Sequence, residues 1–71
     1  MRYAVVIEEG PTSYGAYVPD LPGCVAVAET LAEVKRLIGE AIAFHIEGLR
    51  EHGDPVPPAS STMEYVEVSA S

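Results

Sequence analysis

The chain has 71 residues, with eleven acidic and four basic side chains and a formal net charge of −7. This length supports one domain with one small core, which seldom supplies more than roughly 3–5 kcal/mol without a metal, a disulfide or self-association. Cys24 is the only cysteine, which excludes an internal disulfide and a multi-cysteine zinc site. Phosphate contacts require clustered lysines and arginines, so the acidity also argues against direct nucleic-acid binding. We therefore expect self-association.

The first nine residues, MRYAVVIEE, contain too short an apolar run for a secretion signal or a membrane span. We expect a cytoplasmic protein with Cys24 reduced and no membrane segment. The negative charge has two interpretations. It either keeps a small domain in solution or steers the protein towards a basic partner.

Three short runs before residue 29 have strand character. RYAVVIEE carries apolar residues on both of its faces, as expected for a strand inside a sheet, and Gly10 and Pro11 then interrupt it. YGAYV and CVAVA follow as the second and third runs. Short connections between them predict two hairpins and three antiparallel strands.

A long amphipathic helix is predicted over residues 29–53. Thr30 and Glu33 have the spacing of a capping box at its start, and Gly53 followed by DPVPP suits its end. At 100° per residue one apolar stripe contains Leu31, Val34, Ile38, Ala41, Ile42, His45 and Leu49. Such a helix is longer than the strands that it covers, so we expect it to overhang the sheet.

Leu37 and Phe44 lie beside this stripe, with the small residues Ala41 and Gly48 between them. Together they make the apolar face wider than a thin sheet needs. Simple widening of the core is one interpretation. We favour the other, in which Leu37, Ala41, Phe44 and Gly48 form a surface for self-association or for a partner.

The last third of the chain contains a proline-rich connector, DPVPPASS, and then TMEYVEV, whose alternation predicts a fourth strand over residues 62–68. A right-handed crossover through the helix would lay this strand parallel to the first one. The predicted fold is α+β with element order β-β-β-α-β. Its four-stranded sheet has the order 3-2-1-4, with the helix on one face and the other face left for a second copy.

The segment YVPDLPGC joins the second and third runs. Pro19 ends the strand before it, and Pro22 with Gly23 fits the two central positions of a type II turn. Asp20 is expected to brace its own turn, with a partner contact as the alternative. A turn alone explains the prolines and the glycine, but it does not require this order of residues.

Nothing in the sequence indicates a catalytic, cofactor-binding or metal-binding site. Glu33 and Glu40 fall on the solvent side of the helix, so the carboxylates do not converge as a two-metal nuclease requires. Cys24 and His45 could form a nucleophilic pair, but each is better interpreted as a core residue. His52 is expected to bind carbonyl groups at the end of the helix.

The order of these motifs resembles the N-terminal domain of HicB-type antitoxins and their stand-alone relatives. The shared pattern is an extended strand with an aromatic residue, PDLPGC, a TLAEV helix start, EAIAFH within the helix and a proline-rich connector after it. The resemblance covers about residues 3–68. It implies a partial ribonuclease H-like fold.

The resemblance also implies a function. HicB-type antitoxins neutralise a small basic toxin, HicA, that cleaves messenger RNA, and they commonly assemble as dimers or larger; for this chain we expect a dimer or a tetramer. The family loop would place partner contacts at Pro19, Asp20, Leu21, Pro22 and Gly23. Longer members continue into a DNA-binding domain, whereas residues 1–71 are expected to form one domain without it. The alternative is a non-catalytic oligomeric scaffold with another partner.

Overall fold

The computed structural model describes residues 1–69, which form three strands followed by one helix. The strands are β1 (Val6–Glu9), β2 (Tyr14–Tyr17) and β3 (Val25–Ala28), and the helix is α1 (Leu31–Glu51). Both strand pairs are antiparallel and the sheet order is β1-β2-β3. The helix lies across β2 and β3 on one face. The α+β class and the two predicted hairpins are confirmed.

The predicted fourth strand is not formed within the described residues. Residues 62–68 pair with no other strand and lie in solvent, with Tyr65 97% exposed. The four-stranded order 3-2-1-4 is therefore not confirmed, although the three observed strands follow its 3-2-1 part. Alternating side chains make a segment suitable for a sheet, but they do not specify the edge that it joins.

The core lies between β2, β3 and the first half of α1. Its buried residues are Ala16, Val18, Leu21, Cys24, Val34 and Ile38. Partly buried side chains from the N-terminal residues, from the three strands and from Ala41, Ile42 and Ile46 of the helix pack around them. The predicted stripe thus faces the sheet only in part: Val34 and Ile38 are enclosed, and Ala41 and Ile42 pack against the core. Leu31 is 41% exposed at the start of the helix, and His45 and Leu49 line a hollow beside Phe44.

Both ends of α1 are capped. At the start, the backbone N–H of Glu33 donates to Thr30 Oγ1 over 3.1 Å, while the Glu33 carboxylate binds Arg36 rather than completing the capping box. At the end, Gly53 has a φ of +71°, and its N–H donates to the carbonyl of Arg50 over 3.1 Å. The N–H of Asp54 donates to Leu49 over 2.9 Å, which completes a Schellman motif.

The helix extends beyond the sheet, as predicted. Its 21 residues span about 32 Å, whereas a four-residue strand spans about 13 Å. β1 begins later than predicted because the partner strand ends where the chain turns away at Val18 and Pro19. Residues 1–5 instead continue past the sheet, where Met1 lies beside Ile46 in the second half of α1. No helix in residues 1–69 combines the length and apolar character that crossing a membrane requires.

Two glycine substitutions test the helix and its end. Gly39→Ala should raise the free energy of unfolding by about 0.8–1 kcal/mol, because Gly39 is exposed inside α1 with open space around it. Gly53→Ala should lower it, because an alanine is strained at this positive φ. Urea unfolding at equal protein concentration measures both. A stabilising Gly53→Ala would contradict the assigned helix end.

Candidate docking surface

The PDLPGC segment folds into two consecutive β-turns between β2 and β3. The N–H of Leu21 donates to the carbonyl of Val18, and the N–H of Cys24 donates to the carbonyl of Leu21, each over 3.1 Å. Each turn has a proline at its second position, where the fixed φ of proline is favourable. Gly23 has a φ of +86°, as the predicted type II turn requires. A bond of 3.2 Å from Val18 N–H to Cys24 O closes the loop.

The two turns bury one of the predicted partner-binding residues and leave others exposed. Leu21 has no exposed surface and packs in the core, so its side chain is unavailable to a partner. Pro19, Pro22 and Gly23 are exposed on the outside of the loop. The accessible part of the predicted contact is therefore formed by the prolines and the backbone around them.

Asp20 holds the C-terminal connector rather than its own turn. Its Oδ2 accepts from the backbone N–H groups of Ser60 and Ser61, both over 2.9 Å. Its Oδ1 accepts from the hydroxyl groups of the same two serines, over 3.2 Å and 2.8 Å. These donors, led by those of Ser61, hold the pKa of the Asp20 carboxyl below its usual value. A second contact, from Tyr3 Oη to the carbonyl of Pro57 over 2.6 Å, fixes the connector nearby.

The cysteine and the two histidines, which include the candidate nucleophile and base, lie in the core or along the helix. Cys24 is buried in the core, and this burial raises the pKa of its thiol. His45 is half-buried in a hollow beside Leu49 and His52. The Nδ1 atom of His52 lies 2.8 Å from the carbonyl of Gly48, as predicted for the end of the helix. In residues 1–69 no group of three or more potential ligands is placed to hold a metal ion.

The sheet face opposite α1 carries exposed apolar side chains. The strand register aligns Val6, Tyr17 and Val25 in one row and places Glu8, Gly15 and Val27 in the next. Val25 and Val27 are 63% and 66% exposed, and Gly15 leaves the middle of the second row flat. Tyr17 and Val25 lie at the ends of the strands that enter and leave the turn loop. We call this region, with the exposed loop prolines, the outer face.

A second apolar region lies along the free edge of β3. Leu37, Ala41 and Phe44 border a shallow depression together with Val25 and Val27, and we call these five residues the β3-edge groove. Phe44 is 79% exposed, so it does not contribute to the core. The predicted association surface of Leu37, Ala41, Phe44 and Gly48 is thus only partly contiguous, since Gly48 lies in a separate hollow beside Phe44.

The surface is predominantly acidic. Arg36, one of four basic residues, is engaged by Glu33 and Glu40 on the exposed side of α1. Only three basic residues remain, against eight acidic residues that are not already engaged by Arg36 or by the connector. These eight are Glu8, Glu9, Glu29, Glu47, Glu51, Asp54, Glu64 and Glu67. The described surface therefore carries a large excess of negative charge.

Comparison with known proteins identifies relatives across nearly the whole chain. Residues 3–70 match the family described as the HicB-like antitoxin of bacterial toxin–antitoxin systems. A 14.9 kDa protein from the rep-hol intergenic region of Haemophilus phage HP1 is 38% identical over 93% of this chain. A UPF0150 protein of Thermoplasma acidophilum is also 38% identical, over 80% of this chain and 84% of its own length. The present chain spans only half of the phage protein.

One solved structure resembles this chain in both fold and sequence. The match is to a chain in a structure described as the HicA3 and HicB3 toxin–antitoxin complex, with a TM-score of 0.72 and 33% identity. It covers 83% of this chain and 70% of the other one. Fold and sequence therefore lead to the same family.

The contact between Asp20 and the connector should depend on pH. Hydrogen bonds from the two serines lower the pKa of Asp20 in the folded chain. The contact therefore stabilises the folded chain fully at pH values above the unfolded pKa of about 3.9. This stabilisation disappears as the pH falls through the lower pKa of the folded chain. The amide resonances of Ser60 and Ser61 should therefore shift with a midpoint below about 3.9. Asp20→Asn should abolish this titration. A midpoint at or above the ordinary aspartate value would contradict the contact.

Proposed function

Since the chain belongs to the HicB-like antitoxin family of bacterial toxin–antitoxin systems, we propose that it binds and neutralises a small basic toxin of the HicA type. The observation that carries this proposal is the likeness, at 33% identity, to a chain of the HicA3 and HicB3 complex. The mechanism is coverage of the toxin by protein–protein contact, and it requires no catalytic group, cofactor or metal ion. The encounter takes place in the cytoplasm.

The outer face is the proposed toxin-binding surface. It combines Tyr17, an aromatic side chain with a polar end, with the rigid prolines Pro19 and Pro22. Tyrosine is among the residue types that contribute most binding free energy at protein interfaces. Two short turns hold the prolines in place, so binding costs little loop ordering. Asp20 acts behind this surface, where it fixes the connector to the loop.

Charge supports the same partner. A toxin that cleaves messenger RNA must approach a polyanion, so its RNA-binding surface has to carry lysines or arginines. The present chain carries a net charge of −7 and has Glu8 on the outer face. Opposite surfaces of this kind accelerate association and exclude RNA from the covered region.

The second candidate is an oligomeric scaffold with a different partner. The observation that favours it is the exposed Phe44 in the β3-edge groove, which the outer-face contact does not cover. The two functions differ in what a toxin assay detects. A scaffold without antitoxin activity leaves the toxin active.

The test uses any small basic protein encoded directly beside this chain, measured by growth rescue on co-expression and by titration calorimetry. We expect rescue, and a dissociation constant that increases at least about tenfold between roughly 50 and 500 mM salt, because salt screens charge attraction. Tyr17→Ala should weaken binding about tenfold or more. Phe44→Ala removes another exposed aromatic side chain, one that lies outside the outer face; it is the control and should leave the affinity unchanged.

Failure of the chain to rescue growth from any adjacent toxin would overturn the antitoxin proposal. A complex that forms but is insensitive to salt would overturn its electrostatic part. Equal losses of affinity for Tyr17→Ala and Phe44→Ala would contradict the assignment of the toxin contact to the outer face.

A further inference from the structure

We propose that residues 63–68 of one chain form a fourth strand on the β3 edge of a second copy, in a reciprocal exchange between two chains. This inference goes beyond the antitoxin function and does not depend on it. It concerns two features that remain unsatisfied within a single chain. One is the C-terminal segment, and the other is the β3-edge groove.

The C-terminal segment has the pattern of a strand but no partner among the described residues. Met63, Tyr65, Val66 and Val68 are between 48% and 97% exposed, although three of them are large apolar residues and the fourth is a tyrosine. The molecule measures 51 Å along its longest axis, whereas α1 alone spans only about 32 Å. Parts of the chain outside the helix therefore extend well beyond it. An alternating apolar segment in solvent is an open template for pairing with another sheet edge.

The β3-edge groove offers such an edge. β3 is the last strand of the sheet, so one row of its backbone N–H and C=O groups has no strand partner. Val25 and Val27 lie on one side of this row, and Phe44 with Leu37 lies on the other. A strand added there would gain backbone hydrogen bonds and would cover apolar side chains on both of its faces.

A C-terminal segment that fills the groove has to come from another chain. Asp20 fixes Ser60 and Ser61, and Met63 and Glu64 then lie beside Arg2 and Ala4, on the β1 side of the sheet. β1 and β3 are the two opposite edges, about 10 Å apart at two interstrand spacings. The four residues after Glu64 span at most about 14 Å. Crossing the sheet would consume them, so the segment cannot pair along its own β3.

The side chains of the segment suit both sides of the groove. A period of two places Met63 and Tyr65 on one face and Val66 and Val68 on the other. On a β3 edge, one face meets Phe44 and its neighbours on α1. The opposite face continues the row of exposed valines on the sheet.

The contact is large enough for a stable pair. An aromatic side chain buries about 150–250 Å². Reciprocal exchange involves two copies each of Tyr65 and Phe44, so the aromatic side chains alone provide on the order of 600–1,000 Å². The valines and Met63 add to this area, which brings it towards the roughly 1,200–2,000 Å² of a stable interface. Two segments in two grooves also satisfy a closed twofold arrangement.

Charge gives this contact a distinct dependence on salt. Each chain carries a net charge of −7, and the segment itself contains Glu64 and Glu67. Exchange therefore brings like charges together, and added salt should strengthen it by screening their repulsion. A basic toxin should respond in the opposite direction. The sign of the salt dependence thus distinguishes the two interactions, although Val25 and Val27 belong to both surfaces.

The first experiment measures the mass of the full chain by light scattering during size-exclusion chromatography. We expect a dimer, at twice the 7.5 kDa mass of one chain. The double substitution of Tyr65→Pro with Val66→Pro removes N–H donors on both sides of the segment and should weaken the dimer about tenfold or more. Ser69→Pro, just beyond the segment, is the matched control and should leave the dimer intact. Circular dichroism should show unchanged helix, because the segment is exposed in a single chain.

The second experiment identifies the contact. A dimer prepared from isotope-labelled and unlabelled chains should give filtered nuclear Overhauser effects between residues 63–68 of one copy and Val27 or Phe44 of the other. A chain that is still monomeric at about 1 mM, which is the Kd of a contact worth roughly 4 kcal/mol, would overturn the proposal. So would a dimer with unstructured segments, contacts on β1 instead of β3, or assemblies that keep growing with concentration.

Discussion

The burial of Leu21 beneath α1 is the interaction on which the rest of the fold depends. Leu21 comes from a loop rather than from a strand or the helix, yet it is fully enclosed together with Val34. The two turns make this possible because they direct the chain out of β2, into the core and back into β3 within a few residues. In a chain of this length one such side chain is a substantial part of the core.

The same loop connects the core to the functional surfaces. While Leu21 points inward, Pro19 and Pro22 remain outside beside the apolar row of the sheet, and Asp20 holds the C-terminal connector. The order of the PDLPG residues therefore serves several purposes that a simple hairpin turn would not require. It stabilises the fold, shapes the outer face and determines where the last segment leaves the domain.

Much of this arrangement could be predicted from local sequence. The type II turn at Pro22 and Gly23, the Thr30 cap and the Gly53 helix end were identified because each depends on residues within a few positions of one another. The partner of Asp20 could not be predicted in this way, because the serines that bind it lie 40 and 41 residues further along the chain. Two serines after a proline-rich stretch were the only available signal.

Two differences between the sequence-based expectations and the structure have a common physical cause. Alternation in residues 62–68 predicts a strand that the structure does not form, because pairing also depends on where the connector is held and on which edge is open. Leu21 was assigned to the partner contact with the rest of its loop, whereas the turn geometry places it inside. Sequence patterns specify which surfaces are apolar. They do not specify which apolar surface another chain will cover.

The most direct test of this account is the free energy of unfolding of Leu21→Ala, measured in urea beside Leu31→Ala at one low protein concentration. Loss of a buried leucine costs about 2–5 kcal/mol, so Leu21→Ala should lose most of the stability of so small a domain. Leu31 is 41% exposed at the start of α1, and its replacement should change stability by less than about 1 kcal/mol. Equal, small losses for the two variants would contradict the central role of the buried loop residue.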